Sequence, residues 1–111
     1  MGVRIRTAPL ERGLLGLYDA RRHAIVLDAG LTPVERRCVL AHELGHAHHG
    51  HRTGSPANER VADAFAARLL VDPVALRAAT RWTHDPAELA DELDLTEDVV
   101  VAYLTLVAPR P

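Results

Sequence analysis

Four proline-based start signals divide the chain after residue 31 into helices. Each places Thr, Ser or Asp directly before a proline, and the pairs are Thr32-Pro33, Ser55-Pro56, Asp72-Pro73 and Asp85-Pro86. An N-cap side chain satisfies a free backbone N–H group, and proline suits the first helical position because no donor is lost there. The signals predict helices near 33–49, 56–71, 73–81 and 86–93, and Thr96 predicts the cap of a fifth near 97–107.

Further signals mark individual helix ends. Thr32 and Glu35 form a full capping box, in which each side chain bonds the other residue's backbone N–H, and Asp85 with Glu88 forms a close variant. Gly50 is the residue type that ends a helix in the left-handed conformation, so it suits the position that closes the first helix.

Before residue 31, short apolar runs replace the helix signals. Residues 13–18 and 23–28 are joined by the polar segment 19–22, which is typical of a β-hairpin, and residues 3–7 alternate like a third strand. The sequence thus predicts an α+β fold in one domain, 1–111. Its parts are a short antiparallel sheet in 1–31, metal-site helices in 32–71 and C-terminal helices in 72–111.

The first predicted helix contains a complete HExxH motif, His42-Glu43-Leu44-Gly45-His46. Residues four apart share a helix face, so His42 and His46 can bind one zinc ion, as in zinc peptidases of this type. Glu43 can then act as the general base that takes a proton from water and passes it to the leaving amine. The competing interpretation is a pair of surface histidines. It is disfavoured because apolar residues surround the motif and unpaired buried imidazoles are costly.

A catalytic zinc ion needs a third protein ligand, and the histidine-rich end of this helix offers candidates. The extended metzincin pattern fails, because it requires Gly and His where the chain has His49 and Arg52. His49 is also too far from His42, since seven residues of helix rise about 10 Å. His51 lies beyond Gly50, can fold back, and stays open as a ligand.

Glu59 is the best candidate for the third ligand. It falls in the first turn of the next predicted helix, after a short loop, and two His with one Glu form an established catalytic zinc set. Asp63 lies one turn further on the same face, where it can accept a hydrogen bond from a ligand histidine. The competing interpretations are a carboxylate favoured by the helix dipole for Glu59 and a solvated charge for Asp63.

Two segments carry a wider pattern: residues 39–46, Val-Leu-Ala-His-Glu-Leu-Gly-His, and residues 59–70, Glu-Arg-Val-Ala-Asp-Ala-Phe-Ala-Ala-Arg-Leu-Leu. Together they resemble the ImmA/IrrE family of metallopeptidases, which pairs an AHELGH helix with a helix of the form E-x-x-A-[ND]-x-F-A-A-x-L-L. The resemblance implies a zincin-like fold and an intracellular, gluzincin-like zinc protease. Carried over by position, His42, His46 and Glu59 are the ligands, Glu43 is the base and Asp63 is the supporting residue.

The resemblance also implies a substrate, because relatives typically cut or inactivate helix-turn-helix repressors. We expect such a protein to bind as an added strand along His23–Asp28. Several residues stay open as the group that stabilises the oxyanion: Tyr18, Tyr103, His84, His48, His49 and His51. The presence of Glu43 favours an enzyme over a non-catalytic regulator that binds a repressor or antitoxin, because binding alone needs no base beside the metal. A third alternative is a metal-stabilised structural module, which an open coordination position would contradict.

The distribution of charge argues against direct binding of nucleic acid. Residues 1–84 hold twelve Arg against eight carboxylates, whereas residues 85–111 hold one Arg against seven carboxylates. The C-terminal part has the spacing of a helix-turn-helix, but Glu97 and Asp98 open its second helix, where DNA recognition needs positive charge. We therefore predict a helical pair that completes the core or shapes a partner surface.

Two observations predict a cytoplasmic protein without a membrane partner. Cys38 is the only cysteine, so no intrachain disulfide can form, which fits a reducing compartment. The first residues, Met-Gly-Val-Arg-Ile-Arg, lack the apolar run of a signal peptide, and no stretch of the sequence approaches transmembrane length.

Overall fold

The computed structural model describes residues 2–108, which form three strands, five α-helices and a final π-helical turn. The strands are β1 (Arg4–Ala8), β2 (Gly16–Asp19) and β3 (Ala24–Asp28). The helices are α1 (Pro33–His48), α2 (Pro56–Leu70), α3 (Pro73–Ala79), α4 (Pro86–Leu93) and α5 (Glu97–Ala102), and the π-helical turn is Tyr103–Val107. The predicted α+β class is confirmed. Met1 and residues 109–111 of the predicted domain lie outside the described residues.

The sheet is mixed, with the strand order β1-β3-β2. β2 and β3 form the predicted antiparallel hairpin. β1 instead pairs with β3 in parallel, which corrects the prediction of a wholly antiparallel sheet. The alternating pattern of residues 3–7 indicates a strand, but it carries no information about the direction of the neighbouring strand.

Asp28, at the end of β3, fixes the connection between β1 and β2. Its Oδ1 accepts a hydrogen bond from the backbone N–H of Leu10 at 2.9 Å, and its Oδ2 accepts one from Gly30 at 3.0 Å. The backbone N–H of Asp28 donates to the carbonyl of Leu15 at 2.8 Å. The loop of residues 9–15 is therefore held at the end of β3, which lets the chain pass from one edge of the sheet to the other.

The starts of α1 to α4 follow the cap signals, whereas Thr96 precedes α5 without the predicted capping hydrogen bond from its side chain. Thr32 Oγ1 accepts the N–H of Glu35 at 3.1 Å, and Glu35 Oε1 accepts the N–H of Thr32 at 2.9 Å, so the capping box is complete. The second predicted box differs, because Glu88 accepts the hydroxyl of Thr83 at 2.6 Å, and Thr83 Oγ1 in turn accepts the N–H of Asp85 at 3.1 Å. The sequence pattern predicts a direct bond between Glu88 and the backbone N–H of Asp85, but in the structure the buried hydroxyl of Thr83 lies between them.

α1 ends in a Schellman motif centred on Gly50. The N–H of Gly50 donates to the carbonyl of Ala47 at 3.2 Å, and the N–H of His51 donates to the carbonyl of His46 at 2.9 Å. Gly50 has a φ of 65°, which favours glycine because a side chain is strained there. The predicted stop signal is confirmed, and it turns the chain back along the helix.

The helices pack through two different kinds of contact. Around α3, α4 and α5, aliphatic side chains form the C-terminal core, with Leu89 and Val100 fully buried. α1 and α2 instead meet through small residues: a Cβ on Gly45 would lie 3.0 Å from Ala62 Cα and 3.1 Å from Phe65 Cβ. We call this contact the α1–α2 seam. Because interiors are close-packed, Gly45 sets the separation of the two helices.

Within residues 2–108, no helix combines the length and the apolar character that a bilayer span requires.

Candidate metal centre

Two histidines of α1 and a glutamate of α2 converge on one point. His42 and His46 lie one turn apart, and Glu59 lies in the first turn of α2. The Nε2 atoms of the histidines are 3.2 Å apart. Glu59 Oε2 lies 3.2 Å from His42 Nε2 and 2.6 Å from His46 Nε2. The structure therefore brings together the three side chains predicted as ligands, in a group that could hold a metal ion.

The outer nitrogen of each histidine has its own partner. Asp63 Oδ1 lies 2.8 Å from His42 Nδ1, at the position where the sequence predicts a supporting carboxylate. His51 Nδ1 lies 2.8 Å from His46 Nδ1. His51 does fold back toward the motif, but it reaches the outer side of His46, away from the converging ligand atoms.

The donor set fits a small divalent cation. When Asp63 accepts the Nδ1–H of His42, the neutral ring has a lone pair on Nε2, and this lone pair faces the Glu59 carboxylate at 3.2 Å. Two such acceptors repel each other unless a cation or a proton lies between them. Ligand atoms bonded to a tetrahedral zinc ion at about 2.0–2.1 Å lie about 3.3 Å apart. Two of the three measured distances match this value, and the distance between His46 and Glu59 is shorter.

The seam explains how a residue on α2 reaches the histidines on α1. Gly45 lies between His42 and His46, and it meets the backbone of Ala62 and the Cβ of Phe65. Ser55 caps α2 by accepting the N–H of Asn58 at 3.1 Å, which fixes the first turn that contains Glu59. Close approach of the helices and a fixed helix start together bring the Glu59 carboxylate to the imidazoles.

Carboxylates around His42 favour a cation at this site. Burial lowers the pKa of His42. The hydrogen bond with Asp63 and the charges of Glu43, Asp63 and Glu59 outweigh that effect, so its pKa lies above the usual value of 6.5. The local field therefore stabilises positive charge next to the converging ligand atoms.

Glu43 lies on the buried side of α1, with 7% of its surface exposed. Burial raises the pKa of Glu43 to about 7, an effect that His42 opposes and Glu59 reinforces. A carboxyl group whose pKa lies near neutrality can both accept and release a proton under ordinary conditions. The sequence predicts this residue as the general base, and its environment suits that chemistry.

Gly16 of β2 lies directly over Glu43. A Cβ at this position would lie 2.6 Å from Val39 Cγ1 and 3.4 Å from Glu43 Oε2. Glycine therefore lets a strand of the sheet approach α1 closely at the motif. This residue was missed by sequence reasoning, because its role depends on a contact between β2 and α1 that no local pattern records.

Two clefts meet at Gly16 and Glu43. The larger, of about 400 Å³, extends toward the first turn of α5, and the smaller, of about 210 Å³, extends toward the loop after α1. Leu17 and Tyr18 of β2 line the smaller cleft, together with His46, His51 and Glu59. The clefts together form a groove that follows β2 and passes Glu43.

The strand at this groove corrects the predicted position of a bound peptide. β3 has β1 on one side and β2 on the other along Ala24–Asp28, so its backbone groups are already paired. An added strand needs an unpaired edge. The prediction of His23–Asp28 as the docking strand is therefore wrong. Among the described strands, β2 is the edge strand whose residues line the groove, through Gly16, Leu17 and Tyr18.

The remaining polar candidates fall into two groups. Tyr18 and His51 line the smaller cleft, and the Tyr18 hydroxyl lies 3.0 Å from His23 Nδ1. The others lie elsewhere: His48 and His49 against Phe65, Tyr103 against the C-terminal core, and His84 on the exposed surface. Because His51 faces the outer side of His46, the geometry favours Tyr18 among the residues that the sequence leaves open for the oxyanion.

The C-terminal helical pair forms the far end of the larger cleft. α4 and α5 are joined through Asp94, whose φ is 55°, and the start of α5 places Thr96, Glu97 and Asp98 along the cleft. These carboxylates thus lie beside the groove, where they repel phosphate. The pair helps to shape the groove, as one of the predicted roles requires.

A family model matches this chain over nearly its whole length. The Peptidase M78 model, described as the IrrE N-terminal-like domain, matches residues 1–105. The chain belongs to this family. The resemblance to ImmA/IrrE metallopeptidases that the two helical segments indicate is thereby confirmed.

One relative of this M78 chain is "Uncharacterized immunity region protein 2" of Bacillus phage phi105. The two proteins are 36% identical in a match that covers 79% of this chain and 70% of the relative. The M78 match includes both the sheet and the helices that carry His42, His46 and Glu59. Family and geometry therefore agree on a metallopeptidase type of fold with a group able to hold a metal ion.

Proposed function

We propose that this protein is a zinc-dependent endopeptidase that cuts a specific protein in the cytoplasm. The observation that carries the proposal is the position of Glu43. A buried carboxyl group with a pKa near 7 lies beside a convergent His-His-Glu set and at the meeting point of two clefts. A site that only bound metal for structural reasons would not need a titratable carboxyl group facing an open groove.

In this proposal His42, His46 and Glu59 hold the zinc ion. A bound zinc ion supplies Lewis-acid chemistry, which lowers the pKa of water and polarises a carbonyl group. Asp63 accepts the Nδ1–H of His42 and keeps the Nε2 lone pair directed at the ligand group. Two imidazoles and one carboxylate leave a position open to water or substrate, as catalytic zinc sites do.

Glu43 acts as the general base and then as the general acid. Its carboxylate takes a proton from the attacking water and later gives that proton to the amine of the departing chain. The position of Glu43 suits both steps, because its carboxyl group lies next to His42 and lines both clefts. Proton transfer by a positioned side chain contributes about 10²–10⁴-fold to such reactions.

The substrate backbone binds along β2 in an extended conformation. Backbone pairing with Gly16–Asp19 would give affinity, and the two clefts would receive side chains on either side of the cut bond. The absence of a side chain at Gly16 lets β2, and any strand added to it, lie close to Glu43. Tyr18 is the residue we propose to stabilise the oxyanion, because it lines the smaller cleft beside Glu43.

We infer that the substrate is a transcriptional repressor of the helix-turn-helix type. The name of the phage relative supports this class, since it assigns that protein to an immunity region. The proposed location in the cytoplasm fits the single buried thiol, Cys38, because a reducing compartment keeps thiols free. The alternative is a regulator that binds a repressor or antitoxin and acts by occupying it, without cleavage.

Glu43→Gln separates the enzyme from the regulator. The zinc-loaded variant should fold and bind metal, but its cleavage of a repressor encoded beside the gene should fall by about 10²-fold or more. Glu92→Gln provides the matched control, because the same chemical change is made on the exposed surface of α4. An unchanged biological effect of Glu43→Gln would favour the regulator, and the inactive variant can capture its partner.

The ligand assignment has its own test. Glu59→Ala should lose most of the bound zinc, because two histidines alone form an incomplete site. Asp63→Ala should weaken zinc binding by about 10–100-fold, since it removes the partner of a ligand histidine. A full complement of zinc in Glu59→Ala, measured by metal analysis after dialysis, would show that another residue completes the set.

A further inference from the structure

The Schellman motif at the end of α1 holds a second imidazole against a zinc ligand. Its 6→1 backbone bond joins the N–H of His51 to the carbonyl of His46. In such motifs the side chains of these two positions often make a hydrophobic contact. Here the same two positions carry imidazole rings, with their centroids 5.1 Å apart and their planes at 67°. The backbone that ends the helix therefore also sets the position of the His51 ring.

The two rings share one hydrogen. His46 Nδ1 and His51 Nδ1 are 2.8 Å apart, so one nitrogen donates and the other accepts. If His46 donates, its Nε2 carries a lone pair that points at the ligand group. If His51 donates, a neutral His46 carries its hydrogen on Nε2 and cannot bind metal. Only the first arrangement is compatible with a bound ion.

We propose that His51 is a positioning residue for His46: it accepts the Nδ1–H of this ligand and so fixes the tautomer that binds metal. This proposal rests on the zinc site proposed above and deepens it. His51 would do for His46 what Asp63 does for His42, although the two partners differ in charge. Partners of this kind raise the basicity of a ligand imidazole and fix the direction of its ring.

The two ligand histidines should differ in how strongly they bind metal, because their partners differ in charge. His42 is backed by a carboxylate, which is a strong acceptor, whereas His46 is backed by an imidazole, which is a weaker one. His46 is therefore the more weakly held ligand of the pair. The identity of residue 51 should consequently tune how tightly the ion is bound.

Zinc affinity across a series of substitutions at residue 51 tests the proposal. We expect His51→Ala to lower the affinity by about 10-fold or more. His51→Asn should restore most of it, because the amide oxygen lies near the place of Nδ1. His51→Gln should not, because its longer side chain places the amide near Nε2. His51→Asp should bind zinc more tightly than the original protein, since it supplies a carboxylate as Asp63 does.

The measurement is competition for zinc against a chromophoric chelator, using the full chain. His48→Ala is the matched control, because it removes an exposed imidazole from the same helix end, against Phe65 and away from the ligand atoms. Cobalt absorption spectra supply a second readout: His51→Ala should shift the ligand-field bands, and His48→Ala should leave them unchanged. The thermal unfolding of the metal-free His51 variants should match the original protein.

Equal affinities for the Ala, Asn and Asp variants would overturn the proposal. Restoration by Gln and not by Asn would also overturn it, because that result would assign the role of His51 to Nε2 and not to the Nδ1 atom that contacts His46. A failure of the zinc site itself looks different, since the original protein would then bind no zinc at all. The two failures are therefore distinguishable without any assay of cleavage.

Discussion

The α1–α2 seam and the C-terminal core are built on opposite principles. At the seam, Gly45 lies against Ala62 and Phe65, and the polar ligand atoms converge beside this contact. In the C-terminal core, Leu89 and Val100 are almost completely buried among other aliphatic side chains. Burial of large apolar groups contributes far more free energy than contact between small ones. The core therefore supplies stability, whereas the seam sets the distance and direction between the residues of the candidate metal site.

The largest expected effect is on stability and comes from Leu89→Ala in the C-terminal core. Removing this fully buried side chain should lower the free energy of unfolding by about 2–5 kcal/mol, because transfer and cavity terms add. Chemical denaturation measures the loss. Zinc affinity of the folded variant should stay as it was, and a parallel fall in affinity would show that the two regions are coupled.

Zinc binding beside the seam should raise the free energy of unfolding by an amount similar to the loss expected for Leu89→Ala. Zinc at about 1,000 times its dissociation constant should stabilise the folded protein by about 4 kcal/mol, because it binds the assembled His-His-Glu group. Thermal unfolding with zinc and with a chelator gives the difference. Leu89→Ala should retain this increment and His42→Ala should lose it; an equal increment in both variants would contradict the assigned site.

Gly45→Ala should weaken the seam itself. The added Cβ meets backbone atoms of Ala62, so no change of rotamer can relieve the contact, and overpacking of this kind costs about 1–3 kcal/mol. The higher helix propensity of alanine offsets about 1 kcal/mol of that cost. Zinc affinity should fall by more than stability alone explains, because Glu59 moves away with α2. Unchanged affinity would mean that Gly45 does not set the helix separation.

The smallest expected change in the free energy of unfolding comes from Asp28, which lies outside both the α1–α2 seam and the C-terminal core. Backbone N–H groups of Leu10 and Gly30 donate to its carboxylate and hold its pKa below the usual value of 3.8. Since the folded pKa is the lower one, this stabilisation is complete above pH 3.8 and is lost as the pH falls through the folded pKa. Asp28→Asn should thus be less stable at pH 7, with a smaller difference near pH 3. A difference independent of pH would contradict this account.

The features that sequence predicts well are those set by local chemistry. Cap residues and prolines act within one turn, so the starts of α1 to α4 fall where the signals place them. The histidine spacing in α1 and the position of Glu59 are likewise fixed by helix geometry once the helices exist. Their roles in zinc binding and catalysis remain predictions, as does the division of 1–111 into parts.

The features that sequence predicts poorly depend on contacts between distant segments. The alternation of residues 3–7 is the same in a parallel and an antiparallel strand, so the pairing of β1 with β3 is invisible to it. The position of β3 between two neighbours, which excludes an added strand, is also a property of the whole sheet. The sequence shows that His51 lies beyond Gly50. It does not show that His51 contacts His46 Nδ1, because this contact depends on how the turn after α1 folds back.

If a substrate binds along β2 as proposed, the length of this strand limits how many substrate residues can pair with it. Four residues, Gly16–Asp19, span about 13 Å at 3.3 Å per residue, and only alternate residues turn their backbone groups toward a new neighbour. A peptide paired with this edge would therefore form few backbone hydrogen bonds, because β2 has only four residues. If the protein is a selective protease, it must therefore recognise the folded shape of its target as well as the cut sequence. Exposed loops of a structured protein would then be cut before free peptides of the same sequence.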